Sequence, residues 1–217
     1  MRLKTTFLLD KKNLWFEKYL KHYNFGLKKK YIFKIKKNYK IIKNQDLVFI
    51  LSYTNILPKS FLKKNKLNLV VHASNLPKDR GFAPVLYQVL KNKNIVFISL
   101  IEAFEKPDAG DIFLKEKFKL DGTELSDELR KKQAKAVLKI IKKFLIKYPN
   151  TFPTKQSGKA NFNKRRKPSD SKININKTIK SQFNLLRVCD NKNYPCYFIH
   201  KDQKYILKIY KDSKKDD

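Results

Sequence analysis

A chain of 217 residues has room for one substantial folded domain and a small appendage, and excludes two full domains. An apolar fraction of 41% supplies a real core, yet no run of about 18 apolar residues occurs and the apolar start is too short for a secretory signal, which points to a cytoplasmic protein with no membrane partner. The net charge of +32 suggests nucleic acid, but only six of the 51 basic residues are arginines, and the lysines spread evenly, which argues for a solvated surface with some attraction for anionic substrates.

Residues 5–9 form the first strand-like run, and Leu14, Trp15, Tyr19 and Leu20 then recur at helical spacing. The turn between them, Asp10-Lys11-Lys12-Asn13, lacks Gly-x-Gly, so neither a dinucleotide fingerprint nor a Walker phosphate loop is present. Residues 31–35 and 46–51 read as strands, the second suited to burial in a parallel sheet. Pro58 opens a short helix, and residues 68–71 form the strand that delivers His72. A helix over 84–90 and strands over 94–101 and 113–119 follow, then a long helix that Thr123-Glu124-Leu125 caps and that runs to about Lys147. This alternation predicts a doubly wound, Rossmann-like α/β domain over residues 1–149.

Residues 150–171 turn to Pro, Ser, Gly, Asn and basic residues, which predicts an irregular connecting loop. A helix over 179–188 and two strands, 194–199 and 204–210, predict a small C-terminal helix-plus-strands subdomain over 172–217, with a frayed tail from 211. Cys189 and Cys196 lack partners at zinc-site spacing and read as reduced structural thiols; no metal is expected.

Of the three histidines, only His72 directly follows an apolar strand run and precedes a loop rich in turn formers, which is where α/β domains place chemistry. With an Asp on a second loop it forms a general-base arrangement: the His accepts a proton and the Asp orients it. The segments His72-Ala73-Ser74-Asn75-Leu76-Pro77-Lys78-Asp79-Arg80-Gly81 and Asp108-Ala109-Gly110-Asp111 resemble the catalytic core of the folate-dependent formyltransferases. That signature reads roughly Asn-x-His-x-Ser-Leu-Leu-Pro-x-x-Arg-Gly, then Asp-x-Gly-Asp. One position departs, because the family's Asn is Val70 here, and valine cannot hydrogen-bond an oxyanion; losing such a donor costs about 10²–10³ in rate. Asn75 is the nearest replacement, and reads equally as a turn residue of its own loop; Asn68, on the strand, reads as structural.

The resemblance implies a formyltransferase core that uses 10-formyltetrahydrofolate and no metal. His72 takes the amine proton or stabilises the oxyanion, and Asp108 orients it and relays protons. By the same resemblance Asn55, Ile56 and Leu57, with Phe104, Glu105, Lys106 and Pro107, line the pterin site. Arg80 contacts substrate or holds its loop through a salt bridge. Arg165-Arg166-Lys167-Pro168-Ser169-Asp170 is similar to a segment of the sugar formyltransferases. The implied acceptor is a nucleotide-linked (UDP or dTDP) deoxyaminosugar of the kind used in O-antigen biosynthesis, with Arg165 and Arg166 on its diphosphate. Methionyl-tRNA is the alternative acceptor, though enzymes of that kind carry a larger C-terminal barrel. A catalytically retired fold that binds a polyanion is a third reading, and a homodimer through the C-terminal strands is compatible with all of them.

Overall fold

The computed structural model describes residues 1–212; the end of the tail expected to fray, residues 213–217, lies outside the described residues. The strands are β1 (Leu3–Leu9), β2 (Tyr31–Lys36), β3 (Leu47–Leu51), β4 (Leu67–His72), β5 (Arg80–Gly81), β6 (Ile95–Glu102), β7 (Ile112–Lys119), β8 (Phe162–Asn163), β9 (Cys196–His200) and β10 (Gln203–Leu207). The helices are α1 (Glu17–Lys21), α2 (Lys59–Leu62), α3 (Pro84–Leu90), α4 (Ser126–Lys147) and α5 (Ile179–Val188). Six strands make the central sheet in the order β2-β1-β3-β4-β6-β7.

The α/β class is as the sequence predicts, but the sheet is mixed. Strands β1 to β4 pair in parallel, whereas β6 runs antiparallel to β4 and β7 antiparallel to β6. The reason is length. With seven residues, α3 spans about 10 Å. The six residues of β4 span about 20 Å. So short a helix does not return the chain to the start of β4, and β6 sets off from the far end instead.

Alternation along the strands divides the core between the two faces of the sheet. Phe7, Leu9, Phe49, Leu51 and Leu69 pack with the apolar stripe of α4, Val137, Ile141, Phe144 and Leu145 among it, in the main cluster. Leu8, Val48 and Ile50 turn to the other face and pack with Leu57 and Phe61, with Val70 and Ala103 at the margin. His72 shares the period-two phase of Val70, so β4 carries it to this second face.

Residues 150–171 are irregular, yet they are more than a connection. Thr154 exchanges backbone hydrogen bonds with Ile112 (2.8 and 2.9 Å), and β8 pairs in parallel with β5. Beyond them α5, capped by the Thr178 hydroxyl on the Ser181 N–H at 3.2 Å, gathers with β9 and β10 around Leu186, Cys189 and Cys196. Both cysteines are free and buried. No helix among the described residues is long and apolar enough to cross a membrane.

Candidate functional site

His72 ends β4, and the loop after it is pinned from several sides. Gln88 Nε2 of α3 donates to the Ala73 carbonyl (2.8 Å), Ser99 Oγ of β6 to the Ser74 carbonyl (2.8 Å) and Ser74 Oγ to the Lys78 carbonyl (2.7 Å). The loop then folds back over the ring, which is only 7% exposed, and sets the Asp79 carbonyl 2.8 Å from His72 Nε2. From the other side, Asp108 Oδ1 lies 3.2 Å from His72 Nδ1. The second Asp108 oxygen accepts the Gly81 N–H at 2.9 Å.

Two glycines of the signature are explained by this packing. Gly81 has φ +90°, and a Cβ on it would lie 2.6 Å from the Asn163 carbonyl oxygen. At Gly110 a Cβ would lie 1.9 Å from the Glu102 carbonyl oxygen, so only glycine lets the Asp108 loop return against β6.

Burial alone would raise the Asp108 carboxyl; the hydrogen bond and charge of His72, the Gly81 N–H and the nearby Arg80 outweigh it and hold the group below the ordinary carboxylate range. Asp108 is therefore ionised, and both nitrogens of His72 face acceptors. The geometry is satisfied when each nitrogen carries a hydrogen. Both ring nitrogens thus face oxygen atoms of the fold, Nδ1 the Asp108 carboxylate and Nε2 the Asp79 carbonyl.

The remaining sequence candidates divide. Leu57 is buried beneath exposed Asn55 and Ile56, while Phe104, Glu105, Lys106 and Pro107 form an exposed loop. A 2.5 Å ion pair from Lys59 to Glu105 ties the two loops together, and Leu57, Val70 and Ala103 share one apolar cluster beside them. Among the described residues Arg80 makes no salt bridge; its Nη2 donates to Gln156 Oε1 (2.6 Å) and its guanidinium lies 5.9 Å from the centre of the Phe162 ring. Arg165 lies 5.7 Å from the centre of the Phe82 ring, next to Gly81. Arg166 turns away, with Nη2 on the Asp170 carbonyl at 2.8 Å, so the two arginines do not converge on one group.

Asn75 stands in the loop after His72. Its carboxamide oxygen accepts from Lys115 Nζ of β7 at 2.7 Å, and no hydrogen bond joins it to His72 or Asp108. Asn68 is structural, as expected, with Nδ2 on the Leu62 carbonyl at 2.8 Å.

Sequence reasoning missed three residues that touch the site. Asp79 works through its backbone oxygen, which has no side-chain signature. Asn161 Oδ1 accepts the Asp79 N–H (3.0 Å), and its Nδ2 donates to Asp79 Oδ1 (3.3 Å). Gln156 Nε2 donates to the carbonyls of Asp108 (2.9 Å) and Gly110 (2.7 Å). Burial would raise the Asp79 carboxyl, but hydrogen bonds from Lys91 and Asn161 and the Lys91 charge hold it low.

Residues 11–145 match the family model described as formyl transferase. The chain belongs to the formyl transferase family. It is 31% identical over 158 residues to the methionyl-tRNA formyltransferase of Lactobacillus johnsonii, which covers 71% of this chain and 50% of that protein. The chain spans about half the length of the curated relatives it matches. Its fold superposes on methionyl-tRNA formyltransferase from Clostridium thermocellum with a TM-score of 0.80 at 21% identity, covering 99% of this chain and 96% of that one. A 4-N formyltransferase from Francisella tularensis gives 0.72 at 19% identity, covering 97% and 98%. HypX from Aquifex aeolicus, solved with tetrahydrofolic acid, gives 0.77 at 16% identity, covering 96% of this chain and 38% of that one.

Proposed function

We propose that this chain transfers a formyl group from 10-formyltetrahydrofolate to the primary amine of a deoxyaminosugar linked to a nucleoside diphosphate. One observation carries the choice of acceptor: a ledge on β5 and β8, directly beyond the His72–Asp108 pair, on which Phe82 and Phe162 stand exposed with Arg165 and Arg80 over their rings. Flat aromatic faces beside guanidinium groups suit a base and a diphosphate, and Gly81, which holds Asp108, is part of the same ledge.

For the formyl donor, the tied loops 55–57 and 104–107 offer exposed Ile56 and Phe104 above an apolar floor of Leu57, Val70 and Ala103, which suits a flat pterin ring. The acceptor amine attacks the donor's activated formyl carbon, the bond from that carbon to the folate nitrogen breaks, and tetrahydrofolate leaves with a proton on that nitrogen, which balances the one the amine gives up. His72 takes the proton the amine gives up or, when protonated, stabilises the developing oxyanion, while ionised Asp108 keeps the ring oriented and relays protons. Methionyl-tRNA remains the second acceptor, favoured by the 31% identity to a relative of that name and by the net charge of +32.

The test is formate transfer from 10-formyltetrahydrofolate to UDP- and dTDP-linked 3-amino and 4-amino deoxysugars, with charged methionyl-tRNA alongside, for wild type and His72→Ala. Turnover on one sugar nucleotide, lowered at least about 10²-fold in the variant, is expected. Turnover on tRNA alone would replace the acceptor, and absence of turnover with both would overturn the reading.

A further inference from the structure

Each of the two acceptors that flank the His72 ring comes from a residue in the left-handed region, which non-glycine residues adopt uncommonly. Asp79, whose carbonyl takes Nε2, has φ +57°, and Asp108, whose carboxylate takes Nδ1, has φ +54°. Non-glycine residues persist in the left-handed region when their surroundings over-determine them. Here one stretch of chain fastens both. Asn161 clasps Asp79 at its N–H and its carboxylate, and accepts the Arg80 N–H on its own carbonyl at 3.0 Å. Gln156 spans the carbonyls of Asp108 and Gly110 with one amide group and fixes Arg80 with its oxygen. The Thr154–Ile112 bridge anchors this stretch to the start of β7 just before Gln156, and the β5–β8 pair anchors it just after Asn161.

We propose that Gln156 and Asn161 are positioning residues for formyl transfer: residues 154–163 form a strap that holds the His72 ring between its two acceptors. Neither side chain bonds to His72 itself, so their effect passes through the Asp79 carbonyl and the Asp108 carboxylate. The strap explains why a segment with the composition of a loop is tied down on both sides of the candidate site. It rests on the reading of His72 and Asp108 as the reacting pair, so its test has one arm that needs no substrate.

That arm is the imidazole ¹H–¹⁵N spectrum of the free protein, in which the His72 signals are assigned among the three histidines by their loss in His72→Gln. Gln156→Ala, Gln156→Glu and Asn161→Ala are compared with wild type by this spectrum, by melting temperature, and by kcat and KM for the formyl donor. Gln156→Glu keeps the acceptor for Arg80 but replaces both donors with a negative charge that faces the two carbonyls, so Gln156→Ala, which removes the donors without adding charge, is read beside it. All three variants are expected to move or broaden the His72 signals and to lower kcat about 10- to 100-fold, with KM within about threefold, because sub-ångström misplacement of a reacting group falls on the chemical step. Lower melting temperatures with wild-type His72 signals and kcat would overturn the strap as a positioning device. Displaced His72 signals in a protein that formylates no acceptor would support the strap while removing the proposed reaction.

Discussion

Val70 is where the residues of this chain and the formyltransferase signature part company. Its side chain packs at the margin of the apolar cluster that holds Leu57 and of the one formed by Leu76, Ile101 and Ile112, and the strand position two before His72 offers no side-chain hydrogen-bond donor. Of the two asparagines that flank His72 in sequence, Asn68 donates to the Leu62 carbonyl, while Asn75 accepts from Lys115 through its carboxamide oxygen. Val70→Asn is therefore expected to act in opposite directions on two properties. Placing a carboxamide among these apolar groups should cost about 1–3 kcal/mol in denaturant unfolding. Giving the site an oxyanion donor should raise kcat for formyl transfer about 10-fold or more, read in single-turnover assays. Unchanged kcat would mean that the oxyanion forms elsewhere. The His72–Asp108 pair was legible in the sequence because both residues sit in short motifs punctuated by Gly and Pro. The oxygen that faces Nε2 was not, because it is a backbone carbonyl, and any residue at position 79 supplies one.

Elements were legible where periodicity was long or a cap was present. The extent of α3 and α5 follows from the apolar spacing and from Pro84 and Thr178 at their starts, and β3 is buried along its whole length as a continuous apolar run requires. The two-residue pair of β5 and β8 was not legible, since its partners lie about 80 positions apart in segments that look like loops. How α5 attaches to the core was also hidden. Arg187 of α5 and Glu124, just before α4, are 3% and 2% exposed in their side chains and meet at 3.2 Å, with Arg187 Nε also on the Glu124 carbonyl at 3.1 Å. Lys132 reaches the same carboxylate from a position 37% exposed. Removing either partner takes one positive charge from Glu124, but the consequences should differ. Arg187→Met leaves a buried carboxylate short of its buried partner and should cost about 3 kcal/mol in urea unfolding. Lys132→Met removes a solvated partner and should cost no more than about 1 kcal/mol. Equal losses would show that α5 is held by apolar packing alone.

For the whole molecule, the same carboxylates set the response to acid. Asp10, Asp79, Asp108, Glu124 and Asp190 are each pushed up by burial, and each is held below the ordinary range by stronger hydrogen bonds and positive neighbours. A carboxyl that ionises more easily folded than unfolded lends stability above its unfolded pKa, about 4, and loses it as pH falls through the lower folded value. Acid also strips the negative charge that 19 acidic residues set against 51 basic ones, so repulsion among the lysines grows as those specific contacts fail. The two effects separate by salt, because about 0.5 M chloride screens exposed lysines and leaves buried hydrogen-bonded carboxylates nearly untouched. Thermal melts should therefore show a steady loss of stability from pH about 5 downward, and added chloride should raise the melting temperature at neutral pH without abolishing the acid slope. If chloride flattens the acid slope as well, general repulsion accounts for the acid response and these five carboxylates contribute little to it.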